Sequence, residues 1–107
     1  MTYKVLINGR LNTSLLSDVK KSFEPYDLEI EVTKTYYNRA KEQTLCICGV
    51  INNYNHDKFV SLLDNLPDTD ATGRITCVDE DMNAWQFRKA NDYDTWTCVN
   101  MKIIKDD

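Results

Sequence analysis

Glycine is scarce in this chain: Gly9, Gly49 and Gly73 are its only three, and no two of them are close together. A phosphate-cradling loop needs clustered glycines, because only they let successive backbone N–H groups close around an anion. Neither a G-x-G-x-x-G fingerprint nor a Walker loop is present, and nucleotide hydrolysis has no basis. Histidine is scarcer still, with His56 alone. Asp57 beside it could orient an imidazole toward a cysteine nucleophile. A helix start, however, disfavours a proton on histidine, and no G-x-S-x-G, caspase-like or papain-like signature accompanies it. No catalytic residue is assigned, and the chain is expected not to be an enzyme. A run of about eighteen apolar residues, enough to span a bilayer, is also missing, and the opening MTYKVLINGR lacks the apolar stretch of an export signal. A soluble, cytoplasmic protein is expected.

There is no C-x-x-C pair among Cys46, Cys48, Cys77 and Cys98. In a reducing compartment such residues stay as thiols and behave as small buried hydrophobes. Cys46 and Cys48 share one face of a strand and lack the turn and the spacer of two to four residues that a metal knuckle uses. Both are expected in the core, and no metal or other cofactor is expected.

What is present is an ordinary globular composition. The chain has 107 residues, 42% of them hydrophobic and 28% charged. That suits one domain, residues 1–107, with enough apolar surface to fold unaided. The net charge of -4 and a pI near 4.9 argue against wholesale attraction to nucleic acid or an anionic membrane. The acid is unevenly spread: residues 1–53 hold seven basic against six acidic side chains, and residues 54–107 hold six against eleven.

Period-two alternation marks strands at residues 3–8, where a Gly-Arg pair follows, and at 28–33, where Leu28, Ile30 and Val32 oppose Glu29, Glu31 and Thr33. Residues 44–51, TLCICGVI, are apolar on both faces and read as a central strand. Leu15, Leu16, Val19 and Phe23 recur at helical spacing after the capping candidates Asn12, Thr13 and Ser14. Phe59, Leu62, Leu63 and Leu66 do the same after Asn53 and Asn55, and Pro25 and Pro67 follow the two helices. Three more strands are expected at 74–78, 85–89 and 95–104. The predicted class is α+β, a ferredoxin-like βαββαβ unit extended by a C-terminal antiparallel β-meander. Two smaller sheets packed around the helices are the alternative.

Asp79, Asp81 and Asn83 begin like a calcium loop, but Ala84 stands where that loop needs glycine and Ala90 where it needs a bidentate glutamate, so a solvated turn is the simpler reading. Tyr36, Tyr37, Arg39 and Lys41 interleave aromatic and basic side chains as a nucleic-acid surface does. In the predicted meander, the loops carrying Asp68, Asp70, Asp92 and Asp94 meet at one end, while Asp79, Glu80 and Asp81 lie at the other. Two solvated acidic edges a strand length apart match a basic groove built for nucleic acid.

A short, acidic α+β chain rich in Asn, Asp, Lys, Ile and Tyr, with the acidic loops DTDATG, DEDMNA and NDYD, resembles the small inhibitor proteins of bacteriophages and other mobile elements, of which anti-CRISPR proteins are the best-known group. The resemblance is one of type, and no residue roles are carried by it. It implies direct binding to a host-defence nuclease or its guide complex. The expected function is therefore a non-enzymatic inhibitor that meets a basic surface of its partner through Asp68, Asp70, Asp79, Glu80, Asp81, Asp92 and Asp94. The alternative is a nucleic-acid-binding module using the Tyr36 to Lys41 hairpin.

Overall fold

The computed structural model describes residues 3–34, 43–90 and 95–101. From Val5 the side chains alternate buried and exposed without a break as far as Thr13, so β1 (Val5–Thr13) runs straight through the Gly9–Arg10 pair where the sequence pattern suggested an end. Gly9 allows this. A Cβ there would lie 2.8 Å from the Cα of Ile75 and from the carbonyl oxygen of Arg74 on the neighbouring strand. The glycine marks close approach of two backbones instead of a turn.

The longer strand absorbs Asn12 and Thr13, so α1 (Leu16–Ser22) starts later than expected, with Leu15 at its N-cap and no side-chain cap bond of the usual kind. The Thr13 hydroxyl instead accepts from the Leu15 backbone N–H at 3.0 Å. Next come β2 (Glu29–Lys34) and β3 (Gln43–Ile51). Helix α2 (His56–Asp64) is capped by Asn55, whose side-chain oxygen accepts from the Lys58 N–H at 3.1 Å. The described chain closes with β4 (Thr72–Asp79), β5 (Ala84–Lys89) and β6 (Thr97–Met101).

The strands make one six-stranded sheet, not two smaller ones, in the order β2-β3-β1-β4-β5-β6 with every neighbouring pair antiparallel. Each helical connection steps over one strand: β1 to β2 passes β3, and β3 to β4 passes β1. Val19 of α1 and Phe23 at its C-cap, Phe59 and Leu63 of α2, and Leu66 just beyond it join a single buried cluster with Val5, Ile7 and Leu11 of β1. Leu45 and Ile47 of β3, Ile75 and Cys77 of β4, and Trp85 and Phe87 of β5 complete it. Register places all these strand residues on one side of the sheet. Both helices therefore cover the same face, and among the described residues no element covers the other, called the bare face below.

This one-sided cover corrects the reading of the cysteines. Cys77 points into the core and is fully buried, but Cys48 and Cys98 are exposed and Cys46 is half-buried. Cys46 and Cys48 do share a face of β3, as their spacing requires, but it is the face without helices. No disulfide joins the four.

Candidate functional site

The bare face is laid out in rows by the register of its strands. One row is apolar, running Val50, Leu6, Val78, Ala84, Met101 from β3 to β6. The next is mostly neutral and polar, with Cys48, Asn8, Thr76, Gln86 and Val99. In the third, Arg10 of β1 pairs with Arg74 of β4, and Arg74 pairs with Arg88 of β5, so three guanidinium side chains stand side by side on adjacent strands. All three are exposed. Beyond them, Asn12 lies between Thr44 and Thr72.

Like charges directly opposite one another on a sheet repel and lower stability. Among the described residues no carboxylate forms an ion pair with Arg10, Arg74 or Arg88. The nearest acid in the same row is Glu31, on β2, which pairs with Cys46 and is thus two strands from Arg10. Arg88 is held by its neighbours: its Nε donates to the side-chain oxygen of Gln86, whose Nε2 donates to the Thr76 hydroxyl at 2.9 Å. Across the row, the Thr44 hydroxyl donates to the Asn12 side-chain oxygen at 2.8 Å.

Arg10 and Arg74 line a depression of about 630 Å³ bounded by Thr44, other residues of β1 and β4, and Lys89 and Ala90, and Arg88 lines the one beside it. A second depression of about 360 Å³ shares Gly73, Arg74, Lys89 and Ala90 with it and continues to Thr97 and Val99 on β6. Gly73 is required where the two strands converge, since a Cβ at that position would lie 2.0 Å from the Arg10 carbonyl oxygen.

The acidic residues divide into two kinds. Asp68 is buried, accepting from the Thr13 hydroxyl at 2.5 Å, the Ser14 N–H at 3.2 Å and the Asp70 N–H at 2.9 Å. Burial alone would raise its pKa. The Thr13 hydroxyl, the two backbone donors and the charge of Lys89 outweigh that and hold it below the usual carboxylate range. Lys89, on the helix side of β5, donates from Nζ to the Thr69 carbonyl oxygen. Asp79 is buried at the other end of β4. It accepts from the Tyr3 hydroxyl at 2.8 Å, the backbone N–H groups of Asp81 and Asn83 at 3.0 and 2.9 Å, and the Asn83 side chain at 3.1 Å. Burial again opposes ionisation, and these donors again prevail, so its pKa is lowered.

The expectation of solvated loop carboxylates thus fails for Asp68 and Asp79, whose oxygens organise the turns they sit in. It holds for Asp70, Glu80 and Asp81, which are exposed. Asp79 and Asn83 bond to each other within the turn, and no group of three or more metal-ligating side chains occurs among the described residues. Asp92 and Asp94, and the hairpin residues Tyr36, Tyr37, Arg39 and Lys41, lie outside the described residues.

His56 belongs to an aromatic group. Its ring stacks on Phe87 at 5.7 Å between centroids, and its Nδ1 lies 3.1 Å from the Tyr54 hydroxyl. The arginine row has no local sequence signal, because its members come from three separate segments. The only trace is that each alternates with a buried neighbour: Arg10 with Leu11, Arg74 with Ile75, Arg88 with Phe87. No helix of the described residues is long and apolar enough to cross a membrane. Comparison with protein-family models, with curated proteins and with solved structures finds no match to this chain.

Proposed function

We propose that this chain is a non-enzymatic binding protein whose working surface is the uncovered face of its sheet and whose partner is negatively charged there. The strand order, with both helices on one side, supports reading the first four strands and two helices as a ferredoxin-like βαββαβ unit extended by an antiparallel meander of β5 and β6. Such a unit leaves one face of its sheet free for contacts.

The observation that carries the reading is the row Arg10, Arg74, Arg88. Three adjacent cations with no carboxylate partner among the described residues cost the isolated protein stability, and an anion relieves that cost. Arginine suits the task, because its planar fork binds phosphate or carboxylate through paired N–H donors.

Retention on a heparin matrix tests it. A protein with a pI near 4.9 has no reason in its net charge to bind heparin. Retention at low salt, lost when Arg10, Arg74 and Arg88 are all replaced by Gln, supports the reading. Passage of the parent protein straight through the column at low salt overturns it.

A second reading rests on Asp70, Glu80 and Asp81, which are exposed and have no ion-pair partner among the described residues. On this reading the chain blocks a basic nucleic-acid-binding surface of a nuclease, in the manner of mobile-element inhibitors. Its signature is slower association with an isolated partner when these carboxylates are replaced by Asn or Gln.

A further inference from the structure

We infer that the arginine row binds single-stranded nucleic acid through its phosphodiester backbone, without regard to base sequence, an inference that rests on the anionic-partner reading above. The two overlapping depressions form one trough that crosses the strands from Thr44 on β3 to Thr97 on β6. At the usual spacing of neighbouring strands its length is roughly 19 Å. Arg10, Arg74 and Arg88 are spaced one strand apart along it. A trough with cations repeating at roughly 5 Å matches a linear, regularly charged polymer better than a single compact anion.

The flanking side chains fit the same ligand. Asn8, Asn12, Thr72 and Thr76 on β1 and β4 are neutral, and groups of this kind are what contact phosphate and sugar oxygens beside arginine. Among the described residues, β1, β4 and β5 present no carboxylate from their bare side between these positions.

The described part of this face also carries no aromatic side chain, so bases have no ring on which to stack. Affinity must then come from phosphate contacts. It should be modest, indifferent to sequence and steeply dependent on salt.

Fluorescence anisotropy of a labelled oligothymidylate titrated with the full chain tests the inference. Three phosphate contacts predict a slope of log K against log salt near −2, from about −0.7 per contact on a single strand. Each single Arg→Gln substitution in the row should flatten the slope by about 0.7, and the triple variant should abolish binding. Lys58→Gln, on the helical side, should change nothing.

Four results count against it, and they separate its failure from that of the wider reading. Heparin retention without oligonucleotide binding leaves an anionic partner but removes the single strand. Tighter binding of a duplex of the same length also removes it. Equal displacement of the oligonucleotide by polyglutamate points to an acidic protein instead of phosphate. Binding that survives in the triple variant places the strand elsewhere on the molecule.

Discussion

Arg10 and Arg74 occupy paired positions on β1 and β4, pointing to the same uncovered side of the sheet. Opposed like charges of this kind destabilise a sheet, so Arg74→Gln is expected to raise stability by roughly 0.2–1 kcal/mol while weakening retention on heparin. Urea denaturation of parent and variant reads the first effect and salt elution the second. A variant that is less stable would mean that the arginine stem contributes packing that exceeds the repulsion.

Thr13 and Asp68 tie the end of β1 to the loop that leads into β4, and the bond between them is buried. Removing either partner strands the other away from water. Thr13→Val and Asp68→Ala should each cost about 1–3 kcal/mol, and the double variant less than the sum because both delete the same bond. Asp70→Asn, at an exposed carboxylate two residues away, should stay within about 0.5 kcal/mol of the parent. Equal midpoints for Asp68→Ala and Asp70→Asn would contradict the bonding described for Asp68.

Acid should destabilise the fold through the same carboxylates. Asp68 and Asp79 have pKa values below the ordinary one in the folded chain, so the unfolded chain takes up their protons first as pH falls. Their contribution is present above a pH of about 4 and is lost as pH drops through the lowered folded values. Melting temperature followed downward from about pH 6 should fall through this range, and Asp79→Asn should flatten the fall. An unchanged acid limb in that variant would count against the bonds from Tyr3, Asp81 and Asn83. Tyr3, donating to Asp79, is pushed up to about 12 by burial and by that carboxylate, and so remains protonated throughout this range.

The thiols should react in two groups. Cys48 and Cys98 are exposed and should be modified rapidly in the folded protein. Cys77 is fully buried, and burial pushes its thiol up to about 12, so little reactive thiolate is available. It should react only at the rate of unfolding, which mass mapping of time-resolved alkylation would read. Rapid labelling of Cys77 in the native state would contradict its place beside Trp85 in the core.

Much of the architecture was legible locally. Alternation at residues 28–33 marked one strand, because a strand with one wet face must alternate, the apolar run at 44–51 marked another, and the candidates at 74–78 and 85–89 fall within β4 and β5. The spacing of Phe59, Leu63 and Leu66 likewise announced the buried side of α2 and its sequel. The first strand was misread at Gly9, because a glycine at a turn and a glycine where two backbones nearly touch look alike until the neighbouring strand is in place.

Period and composition by themselves determined that this chain makes strands and two amphipathic helices, and which side chains within each strand point the same way. Those properties follow from backbone geometry over a few residues. Tertiary structure alone decided that the helices share one face, that Cys46 and Cys48 therefore lie on the uncovered one, and that Asp68 and Asp79 turn inward to bond their own loops. It alone brought Arg10, Arg74 and Arg88 into one row, since side chains from distant segments become neighbours only through strand order and register, and these are set by the packing of the whole sheet.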